Sequence, residues 1–209
     1  MDAVTNTPIT RYDNGVIQQL DDSVITEYTL QVVINDEPFV RLICSPLYLE
    51  ELITGFLYSE RIITVITDIF TINIDEACGV AQVMLCDDAA ARVSATKNRM
   101  RTITTALGKQ ESVTYALPVL KSDDVAEHGM FTHEMILAWV REFSTMSDIF
   151  LKTGAVHSSA LFTEKGKVAF FEDIGRHNAI DKIVGYVLRN GLSFERSAII
   201  TSGQIGRAS

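Results

Sequence analysis

The sequence predicts a chain of mixed α+β and α/β class, with a β-rich domain over residues 1–117 and an α/β domain over residues 118–209. Three observations predict this division. Short strand-like runs and a single helical pattern fill the first part. Pro118 and the polar stretch 120–129 have the composition of a linker. Strand and helix patterns then alternate, as they do in α/β layers.

The first domain contains five segments with the composition of β-strands and one with the periodicity of a helix. The predicted strands are residues 27–34, 39–44, 69–74, 80–86 and 90–95. Residues 35–38 (NDEP) form a natural hairpin turn between the first two strands. We expect the helix to have Ser45 as its N-cap and Pro46 in its first turn. Its predicted apolar face consists of Leu49, Leu52, Ile53, Phe56 and Leu57.

In the second domain, we expect a helix capped by Thr132, a hairpin, a second helix and a final strand. The apolar face of the first helix would consist of Met135, Ile136, Trp139, Val140 and Phe143. The hairpin would join residues 160–162 to residues 167–171 through a turn at residues 163–166. The second helix would run from Ile180 to the Asn190-Gly191 stop signal, and residues 198–201 would form the strand.

Composition predicts a cytoplasmic globular protein that binds neither general nucleic acid nor a membrane. Hydrophobic residues make up 47% and charged residues 22% of the 209 residues, which is ordinary for a packed domain pair. The net charge of −9 argues against general nucleic-acid binding. No apolar run is long enough to span a bilayer, and residues 1–15 lack the apolar core of a signal peptide.

The most informative segment lies between the second predicted hairpin strand and the helix that follows. Residues 172–177 (EDIGRH) combine two carboxylates, a glycine, an arginine and a histidine. Helix N-termini favour negative charge, and the planar guanidinium of Arg176 suits a phosphate or carboxylate. This pattern predicts a site for an anionic ligand. The alternative is structural: Asp173 would cap the helix while Arg176 pairs with Glu172.

Four co-linear segments carry a family resemblance. These are residues 55–63 (GFLYSERII), 153–160 (TGAVHSSA), 172–185 (EDIGRHNAIDKIVG) and 202–209 (SGQIGRAS). Together they resemble the formate dehydrogenase accessory sulfurtransferase family, FdhD. The resemblance runs from about Glu27 to the last residue, and its 172–182 segment is highly specific.

The resemblance implies a cytoplasmic, usually dimeric protein with a cytidine-deaminase-like second domain. Members of that family take persulfide sulfur from a cysteine desulfurase. They pass it to the molybdenum bis(guanine dinucleotide) cofactor, or its tungsten counterpart, for insertion into formate dehydrogenase. The residues that would bind this cofactor are Gly154, His157, Glu172, Asp173, Gly175, Arg176 and His177.

The sequence departs from the family at the sulfur-carrying loop. The family's Cys-x-x-Cys loop is expected after the basic run 97–101, but no cysteine stands there and the gap falls between Leu107 and Gly108. No catalytic cysteine is therefore assigned. The basic side chains Lys97, Arg99, Arg101 and Lys109 would form a patch beside that loop, able to attract an anionic cofactor or partner.

Three cysteines stand elsewhere in the chain. We expect Cys44 and Cys86 to pack in the core and Cys78, before Gly79, to be exposed. Their spacing fits neither a disulfide framework nor a zinc site. A zinc deaminase would need His-x-Glu and Pro-Cys-x-x-Cys elements, which this sequence lacks, so we assign no metal ligands.

Two functional hypotheses follow. The chain is a sulfur carrier of the FdhD type, or it is a non-catalytic relative that binds the cofactor, a nucleotide or the dehydrogenase. The resemblance also implies that the second domain continues beyond Ser209, so this domain is expected to be incomplete, with a sheet edge left for further chain or a partner to cover.

Overall fold

The computed structural model of the protein describes residues 2–95, 101–103 and 131–203. The predicted domain boundary at Pro118, the gap between Leu107 and Gly108 and the side chains of the basic patch all lie outside these residues. The division into two domains and the cytidine-deaminase-like character of the second therefore stay predictions.

The described chain opens with a hairpin that the sequence did not predict. Strands β1 (Val4–Asp13) and β2 (Val16–Ile25) pair antiparallel along their full length. Asn14 and Gly15 connect them with φ values of 48° and 86°, the left-handed backbone that a two-residue turn requires. Polar residues dominate this segment, so alternation of apolar and polar residues gave no signal for the strands.

A five-stranded sheet follows, in the order β5-β6-β3-β4-β7. Its strands are β3 (Tyr28–Ile34), β4 (Glu37–Cys44), β5 (Ile69–Asp75), β6 (Val80–Leu85) and β7 (Arg101–Ile103). Four of these confirm predicted strands. The turn between β3 and β4 is also confirmed, since Asn35 and Asp36 both have positive φ and Ile34 pairs with Glu37.

Two α-helices and a short 3-10 helix (Ile66–Asp68) belong to this part of the chain, and both α-helices differ from the sequence-based expectation. Helix α1 (Leu49–Ser59) has Tyr48 at its N-cap with a φ of 54°, so the prediction of Ser45 as N-cap was wrong. Helix α2 (Asp87–Ala95) occupies the whole segment that was predicted as a strand over residues 90–95. Two aspartates in its first turn and a run of alanines favour the helix, and they outweigh the short apolar pattern.

Helix α1 covers one face of the five-stranded sheet and forms the main core with it. Leu52, Ile53 and Leu57 are fully buried against Leu30 and Leu42 of the sheet. The predicted apolar face of α1 is therefore confirmed, even though the cap is not.

The last third of the described chain forms a three-stranded sheet with three helices. The strands are β8 (His157–Thr163), β9 (Gly166–Asp173) and β10 (Ser197–Thr201), in the order β10-β8-β9. The helices are α3 (His133–Phe143), α4 (Asp148–Thr153) and α5 (Arg176–Arg189). The hairpin, the final strand and the Thr132 cap are confirmed, whereas α4 was not predicted and α5 begins four residues before Ile180.

The packing face of α3 is narrower than the predicted one. Trp139 is buried and stacks on Phe162, with ring centroids 5.3 Å apart. Met135 and Phe143 flank it at helical spacing, but Ile136 and Val140 are each 44% exposed. No helix in the described part of the chain is both long and apolar enough to cross a membrane.

Helices α1 and α5 cross at a pair of glycines. A Cβ on Gly55 would lie 1.8 Å from the carbonyl oxygen of Asp181, and one on Gly185 would lie 1.9 Å from that of Glu51. Such contacts leave no room for a methyl group. Beside the crossing, the Ser59 hydroxyl donates to Asp181 Oδ1 at 2.7 Å. The five-stranded and three-stranded sheets are thus joined through backbone-to-backbone helix packing.

This crossing predicts that Gly185→Ala and Gly55→Ala each lower the free energy of unfolding by more than about 3 kcal/mol, since overpacking here must displace backbone. Urea denaturation measures the loss. Gly191→Ala is the matched control, because Gly191 has a φ of 60° but nothing within 4 Å of an added Cβ. Its loss should be about 1 kcal/mol, from the left-handed backbone alone. Equal losses in all three variants would contradict the steric explanation.

Candidate functional site

Most of the predicted ligand residues meet at one end of the three-stranded sheet. Strands β9 and β10 end where β8 begins, and His157 lies opposite Asp173 in the ladder. On the other side of β8, Ser158 N–H donates to Ser202 Oγ at 2.9 Å and Ser202 N–H donates to Ser158 O at 3.0 Å. Helix α5 starts at the same end, with Gly175 as its N-cap. The sheet therefore gathers His157, Gly203 and the first turn of α5.

A buried ion pair lies beneath this turn. Lys182 Nζ donates to Asp173 Oδ2 at 2.6 Å, and neither side chain has any exposed surface. Lys182 Nζ also donates to the carbonyl oxygen of Glu172 at 3.0 Å. Asp173 Oδ1 accepts from Gly175 N–H and from Asn178 Nδ2, each at 2.8 Å. The carboxylate of Asp173 is thus fully engaged with protein groups, which gives it a positioning role rather than direct contact with a ligand.

The same network reaches the five-stranded sheet. Ser45 N–H donates to Asp173 Oδ2 at 3.1 Å, and Ser45 Oγ accepts from Ile174 N–H at 3.1 Å. Asn178 Nδ2 donates to the carbonyl oxygen of Ile43 at 2.8 Å. Ser45 is buried and lies just after β4, so it fastens the β4–α1 junction to the turn before α5. This use of Ser45 explains why it does not cap α1.

Arg176 is a cation in the first turn of α5 that no described carboxylate compensates. Its Nε is buried, and within the described residues it has no hydrogen-bond partner. No carboxylate there lies within ion-pair distance of it either, so the alternative that paired Arg176 with Glu172 was wrong. Gly203 lies against its stem, where an added Cβ would be 2.5 Å from Arg176 Cβ. A guanidinium N–H held this way at a helix N-terminus can bind an anion.

Glu172 faces away from Arg176, toward α4. Its carboxylate accepts from the hydroxyl of Ser147, the N-cap residue of α4. Burial raises the pKa of Glu172, and hydrogen bonds from Ser147 and from the backbone N–H of Phe150 partly offset this effect. The carboxylate thus anchors the short helix that leads to His157.

Gly154 and His177 complete the predicted set. Gly154 ends α4 with a φ of 64° and is exposed, so it shapes the approach to β8 through its backbone. His177 is partly buried in the first turn of α5, next to Arg176. In the described part of the chain, no three His, Cys, Asp or Glu side chains converge as metal ligands would.

Comparison with known proteins decides the family. The FdhD/NarQ family model matches residues 25–208. The chain belongs to the FdhD/NarQ family. The resemblance read from the sequence is thereby confirmed.

Two curated relatives have the name sulfur carrier protein FdhD. The protein from Listeria monocytogenes (strain EGD-e) is 38% identical over 207 residues, which cover 98% of this chain and 78% of the relative. The one from Bacillus subtilis is 34% identical over 196 residues, which cover 93% of this chain and 74% of the relative.

A solved structure shares the fold of this FdhD/NarQ chain. It is described as a candidate formate dehydrogenase accessory protein from Desulfotalea psychrophila. It matches with a TM-score of 0.68 at 22% identity, over 97% of this chain and 76% of that one. At this identity the likeness supports the mixed α+β fold alone.

The thiols of this FdhD/NarQ chain differ strongly in exposure. Cys44 is fully buried at the end of β4, where burial, followed by the charge of Asp173, raises the pKa of its thiol. Cys86 is partly buried, and its Sγ lies 3.7 Å from Asp68 Oδ1. Cys78 is exposed in the turn between β5 and β6, as predicted. A hydrogen bond with Asp75, and the charge of that residue, raise the pKa of the Cys78 thiol.

Sequence reasoning missed three residues that build the site: Ser45, Asn178 and Lys182. Their roles depend on contacts with segments far away in the chain; Ser45 and Asp173, for example, are 128 residues apart. One signal was available for Lys182. It lies within the apolar pattern of α5, between Ile180 and Ile183, where a lysine needs a buried partner.

The thiol environments predict that Cys78 is alkylated first by iodoacetamide in the folded protein and that Cys44 reacts only on unfolding. Asp75→Asn should accelerate the reaction of Cys78 at about pH 8, because loss of the carboxylate charge lowers the thiol pKa and increases the thiolate fraction. Peptide mass mapping over time measures the rates. Cys78→Ser is the control that should remove the fast phase. A slower reaction in Asp75→Asn would show that the electrostatic explanation is wrong.

Proposed function

We propose that this protein is a sulfur carrier in formate dehydrogenase maturation. It receives persulfide sulfur from a cysteine desulfurase and passes it to the molybdenum bis(guanine dinucleotide) cofactor, which is its substrate. Family membership along residues 25–208 supports this role, as do relatives named sulfur carrier protein FdhD. In this proposal the protein works in the cytoplasm as a homodimer and serves formate dehydrogenase.

The binding part of the proposal rests on the environment of Arg176. Its Nε is buried without a partner in the described chain, at the N-terminus of a 14-residue helix. Lys182 neutralises Asp173 beneath the turn, so the positive charge of Arg176 faces the ligand without a compensating carboxylate. The pyrophosphate of a guanine dinucleotide fits this charge and the guanidinium fork. His157 and His177 would donate hydrogen bonds to the same ligand or to the persulfide.

Sulfur is carried on a thiol, and Cys78 is the accessible one in the described chain. Its thiolate attacks the terminal sulfur of the desulfurase persulfide. A new S–S bond forms on Cys78 while the old one breaks, and the desulfurase cysteine leaves as a thiolate, with no net oxidation or reduction. On delivery the S–S bond breaks with its electron pair going to Cys78, so the thiolate is released and the acceptor takes sulfur at the sulfane level. A reduced metal centre of the cofactor substrate supplies the two electrons that turn this sulfur into a sulfide ligand.

The position of Cys78 supports this assignment. Cys78 immediately precedes Gly79, whose carbonyl oxygen accepts from Gln31 N–H near the start of β3. Cys44, at the end of β4, pairs with Tyr28 at that same end of the sheet. Cys78 and the β4–α1 junction are therefore about two strand spacings apart, ~10 Å across the sheet. The thiol and the ligand-binding turn share one end of the five-stranded sheet.

A second candidate function is binding without sulfur transfer. The raised pKa values of Cys44 and Cys78 favour it, because both thiols are weaker nucleophiles than an ordinary cysteine at neutral pH. The family's Cys-x-x-Cys loop is also missing between Leu107 and Gly108. In this case the protein binds the cofactor, a nucleotide or the dehydrogenase and leaves sulfur chemistry to another protein.

Intact mass spectrometry separates the two candidates. After incubation with a cysteine desulfurase and cysteine, we expect the wild-type protein to gain one sulfur atom that dithiothreitol removes. Cys78→Ser should not gain it, whereas Cys86→Ser, the matched control, should. No added sulfur on any thiol would reject sulfur transfer and leave the binding function.

The ligand site is tested with GDP, which contains the guanine nucleotide and pyrophosphate of the proposed substrate. Arg176→Lys should weaken GDP binding about tenfold, because lysine keeps the charge but loses the bidentate fork. Isothermal titration calorimetry measures the affinity. Arg196→Lys is the control, since Arg196 is an exposed arginine paired with Glu164 at the opposite end of β10. Equal GDP affinity in the wild type and in Arg176→Lys would show that the Arg176 guanidinium does not bind the ligand.

A further inference from the structure

We propose that the buried Asp173–Lys182 ion pair is a positioning element that holds the ligand-binding turn, residues 174–177, against the β4–α1 junction and so sets the affinity of the site. The effect on affinity rests on the proposed function. The positioning itself is a property of the fold and can be measured without a ligand.

The first argument is energetic. Both side chains are fully buried, and taking two charges out of water is expensive even when they pair well. Well-packed apolar side chains of similar size often give equal or better stability at such places. Stability alone therefore does not account for this pair. We therefore attribute its role to the positions of the groups that the pair holds in place.

The second argument is the set of groups that Asp173 holds. Oδ1 accepts from Gly175 N–H in the turn and from Asn178 in the first turns of α5. Oδ2 accepts from Ser45 N–H at the β4–α1 junction and from Lys182. One carboxylate thus links the β4–α1 junction to the turn and first turns of α5, two segments that are far apart in the chain. An asparagine at position 173 would have one oxygen acceptor and one NH₂ donor. Its NH₂ group would face either the donors now bound to Oδ1 or those now bound to Oδ2, so it could not accept all four hydrogen bonds.

The third argument is the neighbouring cation. Arg176 follows the turn directly, and its stem is confined by Gly203 on the opposite side. Any shift of the turn moves the guanidinium relative to His157, which lies across the ladder from Asp173. Lys182 also keeps the turn free of net negative charge beneath an anionic ligand. The position of the Arg176 guanidinium and the net charge of the turn therefore both depend on the Asp173–Lys182 pair.

The decisive variant is the double substitution Asp173→Asn with Lys182→Met. Lys182→Met alone leaves a buried carboxylate uncompensated and should lower the Tm strongly. Adding Asp173→Asn removes that charge and should recover most of the lost Tm. Asparagine then directs either its amide donor or its oxygen at Ser45, so the junction and the turn are no longer held together. We expect GDP affinity at least about tenfold below wild type despite the recovered Tm.

The control is a second short ion pair, which is partly exposed and lies at the opposite end of the five-stranded sheet. Arg92, in α2, donates to Asp68 Oδ2 at 2.6 Å, and Asp68 is the last residue of the 3-10 helix before β5. The double variant Asp68→Asn with Arg92→Met should lower the Tm and leave GDP affinity unchanged. This control separates loss of an ion pair from loss of the positioned turn.

Hydrogen exchange measures the positioning without ligand. Ile174 N–H and Gly175 N–H donate to Ser45 and Asp173, so a peptide that covers residues 172–178 should exchange faster in the Asp173→Asn/Lys182→Met variant. A peptide from β3 should not change. If the wild type does not bind GDP, the proposed ligand is wrong, and the exchange result alone decides the positioning.

Two results would overturn the inference. One is a double variant of recovered Tm that binds GDP as the wild type does. The other is unchanged exchange over residues 172–178. If the double variant does not fold, Ser45→Ala decides instead, because it removes the acceptor of Ile174 N–H and leaves the ion pair intact. Faster exchange of that segment and weaker GDP binding at near-native Tm are then expected, and no change in either would reject the proposal.

Discussion

The carboxylate of Asp173 is the group on which the architecture around the site depends. Its two oxygens accept four hydrogen bonds, from Ser45, Gly175, Asn178 and Lys182. Three of those donors lie at the start of α5, within residues 175–182, and the fourth, Ser45, lies 128 residues before Asp173 at the β4–α1 junction. A buried carboxylate is stable only when charge and hydrogen bonds compensate it, and here the same groups that compensate it also define the turn before α5. The same four hydrogen bonds therefore stabilise the local turn and the packing of α5 against the β4–α1 junction.

Two kinds of contact join the sheets, and they act differently. The glycines at the α1–α5 crossing bring two backbones together by the absence of side chains, which fixes the distance between the helices. The Asp173 network fixes the direction in which α5 starts. Because Ser59 also donates to Asp181 beside the crossing, α5 is held along its length as well as at its first turn. Arg176 projects from a helix that cannot slide or rotate freely.

Much of the fold could be predicted from the sequence because its signals are local. Strands β3, β4, β5 and β6 have apolar or alternating runs of the right length, and Thr132 caps α3 in the expected way. Residues 90–95 were assigned wrongly because a short apolar pattern fits either a strand or a helix. Ser45 was assigned to a local cap because its true partners, Asp173 and Ile174, follow more than 120 residues later. No local pattern contains that information.

The candidate site was also predicted only in part, since its composition is visible in the sequence but the contacts of its residues are not. The EDIGRH segment pointed to an anion site from composition alone, and the structure distributes its residues among distinct tasks. Asp173 positions the turn, Glu172 anchors α4 through Ser147, and Arg176 is left with its charge available. In the proposed function, ligand binding and sulfur carriage would reside on different groups, because exposed Cys78 lies in the β5–β6 turn and Arg176 lies in the first turn of α5. If both proposed activities exist, substitutions at Arg176 and at Cys78 should therefore remove one without the other.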